Sequence, residues 1–214
     1  MLLQIVRIIW KDLKLEARNL PEIGGAAVFS VASSCLLGFA INMVPEEEVV
    51  PLISVGLLLL ALFLAVFTAL MTVVREHDLG TLDGIRVSPV KPVHLFLAKT
   101  IVNFILMEGL LSLSLVSTFL LSGGQLILFD LYALIMTAGI YLSAVSSFAS
   151  SISVFIRARG VLLPTMILVL SLPILERVLS FMGSSDPLGI WMLALSGFMF
   201  ALMGSWLIGY VLEV

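Results

Sequence analysis

Long apolar runs, each of about 20 residues, dominate the sequence and alternate with short polar segments. An α-helix of that length crosses a hydrocarbon core of about 30 Å. A membrane barrel would instead need alternating apolar and polar residues, and the runs lack that alternation. Hydrophobic residues form 61% of the 214 positions and charged residues 12%, so the composition also differs from that of a soluble domain. The sequence therefore predicts an all-α, polytopic membrane protein.

We predict one transmembrane domain over residues 1–214, with an amphipathic helix at 1–20 followed by six spans. Polar residues recur in the first helix at three- and four-residue steps, which places them on one stripe opposite the apolar side. Such a helix lies in the headgroup plane, its basic side facing water and anionic lipid. The stripe consists of Gln4, Arg7, Lys11, Lys14 and Arg18. The predicted spans cover about 22–44, 51–74, 95–121, 129–156, 161–180 and 188–212.

The basic residues predict the orientation of these spans. Ten of the 11 Lys and Arg residues fall in three segments: four in the first helix, four in residues 75–99 and two in the turn at 157–160. Only Arg177 lies in the opposite loops. Because positively charged loops stay in the cytoplasm, both termini are expected to be cytoplasmic.

Three predicted spans carry small residues at every fourth position, a pattern that lets helices approach closely. In the first span these are Ser30, Ser34, Gly38 and Asn42; in the fourth, Gly139, Ser143, Ser147 and Ser151; in the sixth, Gly197, Ala201, Ser205 and Gly209. Packing is the expected role of these stripes.

Enzymatic motifs and metal-binding motifs are absent from the sequence. It has no Walker-type loop, no HExxH, one cysteine and two histidines, so neither nucleotide hydrolysis, a cofactor nor a metal site is expected in this chain. His77 and His94 are interpreted as solvated or interfacial loop residues, with heme or metal ligation as the alternative. We expect no catalytic residue.

Two polar residues, Asn103 and Glu108, fall in or near the third predicted span. A carboxylate within a membrane helix is costly, so it marks a functional site by default. It can face a substrate path or hydrogen-bond to a neighbouring helix or partner subunit. The sequence leaves a functional role and a structural contact between helices both open.

Residues 75–99, REHDLGTLDGIRVSPVKPVHLFLAK, form the only long polar segment between apolar runs. Gly and Pro residues within it interrupt regular helix and favour an exposed surface segment. We predict that this segment couples the protein to a cytoplasmic ATPase; the alternative is an ordinary solvated loop. The candidate coupling residues are Arg75, Glu76, Asp78, Gly80, Thr81, Leu82, Asp83, Ser88 and Pro89.

Residues 76–82, 88–90 and 97–99 resemble the first cytoplasmic loop of type-2 ABC exporter permeases, and the N-terminal amphipathic helix resembles their elbow helix. More narrowly, the chain resembles the heme exporter protein B (CcmB) family of the cytochrome c maturation system. The narrower resemblance is carried by residues 7–13, 103–108 and 159–163.

The resemblance implies a membrane permease subunit in the inner membrane, with ATP hydrolysis on a separate ATP-binding subunit, protein A. It further implies a heme-handling membrane protein C, a small single-span protein D, and release of a heme-loaded chaperone, protein E, outside the membrane. Heme would then be handled by the complex and not bound by this chain. The alternatives are a type-2 ABC exporter for a lipid, drug or polysaccharide, and a membrane scaffold without an ATPase.

Overall fold

The computed structural model describes residues 2–75, 91–122, 128–153, 159–183 and 187–212. All regular secondary structure in these residues is helical, which confirms the all-α prediction. The helices are α1 (Leu2–Arg18), α2 (Leu20–Ile41), α3 (Glu46–Ala69), α4 (Pro92–Leu121), α5 (Leu128–Ser153), α6 (Arg159–Leu170), α7 (Leu172–Gly183) and α8 (Pro187–Leu212). A π-helical turn, Leu70–Val74, continues α3.

Among the residues that the structure describes, four helices are long and apolar enough to cross a membrane. They comprise Leu20–Ile41, Glu46–Thr72, Pro92–Leu121 and Leu131–Ser153. Two shorter apolar stretches, Gly160–Glu176 and Leu195–Trp206, follow them. The chain is therefore an integral membrane protein, as its composition predicts.

Helix α1 has three faces instead of the two that the sequence suggested. The basic stripe is exposed, as expected, and so are Val6 and Trp10 on an apolar side. Ile5, Asp12 and Glu16 form a third face, which is buried. Since α1 contacts α4 and α2, this third face attaches the helix to the bundle.

The small residues of α2 pack against α4. The Ser117 hydroxyl donates a hydrogen bond to Ser34 Oγ at 2.8 Å, and a Cβ added at Gly38 would lie 2.7 Å from Leu121 Cβ. Asn42, the last member predicted for this stripe, is instead exposed, and its amide donates to the Gly38 carbonyl oxygen. Ile41 takes the buried position because the helical repeat of 3.6 residues shifts a strict four-residue stripe around the axis.

Helix α5 contacts α3, α4, α6, α7 and α8 and so runs through the centre of the described bundle. The small residues of α5 allow these helices to approach it closely, in agreement with the predicted packing role. A Cβ added at Gly197 of α8 would lie 2.9 Å from the Tyr141 backbone, so only a glycine permits this approach. Leu142 and Val145 are fully buried in the apolar core beside it.

The segment predicted as the fifth span, 161–180, consists of two helices, α6 and α7, separated at Ser171. Pro164 is accommodated inside α6, whereas Pro173, at the start of α7, lacks the N–H that a continuous helix needs. The Ile174 N–H bonds to the Ser171 carbonyl oxygen and leaves the Leu170 carbonyl free. The Tyr141 hydroxyl donates to that carbonyl at 2.7 Å, so α5 stabilises the break.

Candidate coupling site

A group of charged side chains joins α1 to the helices on both sides of residues 76–90. We call this group the charge clamp; it consists of Asp12, Glu16, Glu22, Arg75 and Lys99. Lys99 Nζ lies 2.8 Å from Asp12 Oδ2, and the two side chains are only 6% and 5% exposed. Lys11 Nζ lies 3.0 Å from Asp12 Oδ1 on the outer side. A buried ion pair therefore connects α1 to α4.

Arg75 forms the second half of the charge clamp. Its Nη1 lies 3.0 Å from Glu22 Oε2 and 3.4 Å from Glu16 Oε2, so the end of α3 is bound to both α1 and α2. The Asn19 side-chain amide also donates to Glu22 Oε2. Burial raises the pKa of Glu16 above its usual value of 4.5, and the Arg75 guanidinium opposes that rise.

The local sequence explains why the charge clamp forms. Asp12 and Glu16 are four residues apart, so they lie one above the other on the same side of α1. Arg75 is the residue after the π-helical turn, and Lys99 lies two turns into α4. Both helices that border residues 76–90 are thus bound to α1 through charges of opposite sign.

A buried polar network lies next to the charge clamp, centred on Asn103. The Thr72 hydroxyl donates to Asn103 Oδ1 at 2.7 Å, and the Asn103 amide donates to Ser147 Oγ at 2.9 Å and Ser146 Oγ at 3.4 Å. Asn103 therefore joins α4 to α5 and to the π-helical turn. Single π turns occur frequently at functional sites, because they add a residue to a helix locally.

Glu108 lies further along α4, separate from this network. Its side chain is buried, and neither carboxylate oxygen has a hydrogen-bond partner within the described residues. The carboxylate occupies the space beside Gly139, where an added Cβ would collide with Oε1. The missing Cβ of Gly139 on α5 thus provides the room for this acid.

The structure places the sequence-predicted candidates in different regions. Arg75 belongs to the charge clamp, Asn103 to the polar network, and Glu108 to neither. The other candidates lie outside the described residues: Glu76, Asp78, Gly80, Thr81, Leu82, Asp83, Ser88 and Pro89. Their predicted coupling role stays a prediction.

The interpretation of His94 as a solvated or interfacial loop residue is wrong. Helix α4 begins at Pro92, since proline suits the first position of a helix, so His94 is a buried residue of its first turn. His77 lies outside the described residues. In the part of the chain that the structure describes, no three His, Cys, Asp or Glu side chains are grouped as metal ligands.

Sequence reasoning missed the acidic half of the charge clamp and Thr72. One signal was present: Asp12 and Glu16 are the only acidic residues of a basic helix, and they lie four positions apart, away from both the basic stripe and the exposed apolar side. Thr72 carried no such signal, because its neighbours are apolar and its partner is distant in sequence.

Comparison with known protein families gives a match over nearly the whole chain. The family model described as CcmB protein matches residues 3–207, which include α1, the charge clamp and Glu108. Neither a curated protein nor a solved structure matches.

Proposed function

Because this chain belongs to the CcmB family, the membrane component of the heme exporter for cytochrome c maturation, we propose that it is a permease subunit driven by a separate ATP-binding subunit. ATP is bound and hydrolysed on that partner, and heme is handled by the complex. This chain therefore contributes a movement of its helices and no chemical step. We place the protein in the inner membrane as part of the same proposal.

The proposed topology has six spans with both termini in the cytoplasm. Helices α6 and α7 together form a broken fifth span, and α8, with 26 residues, forms the sixth. The distribution of Lys and Arg supports this orientation. It places the charge clamp and residues 76–90 on the cytoplasmic side, where an ATPase would dock.

The charge clamp is the observation that carries the proposal. An ATPase that pushes on residues 76–90 acts on the ends of α3 and α4 through Arg75 and Lys99, and both ends are bound to α1. Thr72 and Asn103 continue the connection into the bundle and reach α5. Such a chain of ion pairs and hydrogen bonds lets a push on the loop move several helices as one unit.

The proposed partners follow from family membership. Protein A supplies ATP hydrolysis, protein C handles heme in the membrane, protein D is a small single-span subunit, and protein E is the heme chaperone released outside.

The first test is a purification of this protein from its native cells in mild detergent, with the co-purifying chains identified and heme absorbance recorded. We expect an ATP-binding subunit together with a heme-carrying membrane protein. An ATPase without a heme protein would favour a general exporter, and the absence of any ATPase would contradict the coupling role of residues 75–99.

A second test addresses the coupling residues. Reversing the charge of Glu76 or Asp83 should lower the ATPase activity of the reconstituted complex several-fold, because the loop would no longer match its partner. Glu47→Lys, an equal change at an exposed residue in the first turn of α3, is the control. Equal ATPase activity in all three variants and the wild type would count against loop coupling.

A further inference from the structure

Glu108 is enclosed between α4 and α5. Its side chain is buried, with only 5% of the residue exposed, and its Oε1 occupies the space that a Cβ would take at Gly139. Among the described residues, neither carboxylate oxygen has a hydrogen-bond partner. An ionised carboxylate in this position has lost its water without gaining another interaction, so the charged form is very costly while α4 and α5 are packed together.

The helices packed around α4 supply no positive charge to Glu108 within the described residues. Four of them, α2, α3, α5 and α8, contain no Lys, Arg or His. Arg75 and Lys99 are paired with acids of the charge clamp, which also holds both acids of α1. The other titratable side chains described on α4 and on these four helices form no hydrogen bond with Glu108. They are His94, Glu22, Cys35, Glu46, Glu47, Glu48, Tyr132 and Tyr141.

A proton suits this site better than a metal ion or a side chain of another subunit. Hard cations such as Ca²⁺ and Mg²⁺ take six or more oxygen ligands. In the described part of the chain, no three acidic, His or Cys side chains are grouped in this way. A side chain from another subunit would have to pass between α4 and α5, because both carboxylate oxygens are buried. A proton needs a single oxygen, and the O–H bond that it forms removes the charge.

The contact between α4 and α5 is polar on one side of Glu108 and apolar on the other. Toward the charge clamp, Ser143 and Ser147 lie one and two turns after Gly139 on the same face of α5, and both are buried. Ser147 Oγ accepts a hydrogen bond from the Asn103 amide of α4. Away from the charge clamp, apolar side chains surround a small cavity: Leu111, Leu134, Ile135 and Ala138. Hydrogen-bonding groups that can receive water or a proton thus follow Glu108 toward the charge clamp.

We propose that Glu108 is a proton-binding site, which is protonated while α4 packs against α5 and exchanges its proton from the side of the charge clamp. When the two helices separate, the O–H bond of the carboxyl group breaks and the proton passes to water that enters along Ser147 and Ser143. When they close again, the carboxylate takes up a proton from that water, because burial of the charged form is costly. The proposal concerns this chain alone and does not depend on the ATPase-driven function.

Infrared spectroscopy of the full chain, reconstituted in lipid at pH 7, tests for the bound proton. Exposed glutamates are ionised at this pH, and the C=O stretch of a protonated carboxyl group is separate from the bands of carboxylates. The wild type should show such a band, and Glu108→Gln, which keeps the size of the side chain, should lose it completely. Glu47→Gln, a change at an exposed acid in the first turn of α3, should leave it unchanged. Identical spectra of the wild type and Glu108→Gln in this region would overturn the proposal.

Transfer to heavy water tests the side of exchange, because the band shifts when a deuteron replaces the proton. Ser143→Ala/Ser147→Ala should slow this shift about tenfold, since water loses two hydrogen-bond partners on its way to Glu108. Each single variant should slow it less. Ser114→Ala is the matched control and should keep the wild-type rate, because the buried Ser114 hydroxyl donates toward α2, to the Ser30 carbonyl oxygen. An unchanged rate in the double variant, or equal slowing in Ser114→Ala, would overturn exchange from the side of the charge clamp.

Discussion

Two buried carboxylates along α4 have opposite surroundings. Asp12 lies against the first two turns of α4, 2.8 Å from the Lys99 ammonium group. Glu108 lies about 14 Å further along the helix, at a rise of 1.5 Å per residue, and its oxygens have no hydrogen-bond partner among the described residues. Within the described residues, Asp12 is compensated by a cation and Glu108 is not. We infer that the first attaches helices to one another, whereas the second is retained for a role that packing does not explain.

This difference indicates that the two acids along α4 have different roles. The paired Asp12 attaches α1 to α4, and this is the contact that we propose transmits force from residues 76–90. Glu108 lies in a candidate membrane span, and its carboxylate has no hydrogen-bond partner among the described residues. Burying such an acid is costly, which marks it as a candidate functional residue. Breaking each arrangement separately should therefore affect stability and activity differently.

The largest effect is expected from breaking the ion pair. Lys99→Met leaves Asp12 buried, with Lys11 as its remaining cation among the described residues, and loss of one partner from a buried pair costs about 3–5 kcal/mol. Because Asp12 keeps its contact with Lys11, we expect a loss of stability at the lower end of that range. The free energy of unfolding in detergent measures this loss, with Lys91→Met as the exposed control.

The double variant Asp12→Leu/Lys99→Met separates charge from packing. It should recover most of the lost stability, because Asp12 is no longer left buried without Lys99, while ATPase coupling should stay impaired, since the ion pair between α1 and α4 is gone. Wild-type coupling in a stable double variant would refute the force-transmitting role of the charge clamp.

An intermediate effect is expected from Gly139→Ala. The added Cβ collides with the Glu108 carboxylate, and overpacking of this kind costs about 1–3 kcal/mol. Glu108→Ala in the same chain should relieve the collision, whereas Glu108→Gln, which keeps the size of the side chain, should not. If Gly139→Ala were equally destabilising in the wild type and in the Glu108→Ala variant, the proposed contact would be wrong.

Sequence reasoning predicted the helical membrane fold because apolar length and composition depend on each segment alone. The same applies to the packing stripes, which are local patterns. The charge clamp could not be derived in this way, because Lys99 and Asp12 are separated by most of the first half of the chain, and nothing local indicates that they meet. The candidate residues of the 75–99 loop could be identified because they resemble those of a known family. Thr72 could not, because its hydrogen bond depends on where the fold places Asn103.

The smallest expected effect is a pH dependence at the charge clamp. Burial raises the pKa of Glu16 above 4.5, so the folded state binds this proton more readily than the unfolded state does. The contribution of Glu16 to the free energy of unfolding is therefore fully present below pH 4.5 and is lost as the pH rises through the folded pKa. It amounts to about 1.4 kcal/mol for each unit by which the pKa is raised.

The ion pair between Glu16 and Arg75 should have the opposite pH dependence and strengthen as the pH rises, because only the ionised Glu16 attracts Arg75. As the pH falls through the raised pKa, that attraction is lost, and Glu22 remains as the acid that pairs with Arg75 among the described residues. The difference in unfolding free energy between the wild type and Glu16→Gln, measured from pH 4 to pH 8, should change as Glu16 ionises. Glu47→Gln is the exposed control. A difference that stays flat over the range would show that Glu16 is not buried as the structure places it, and that Arg75 is held chiefly by Glu22.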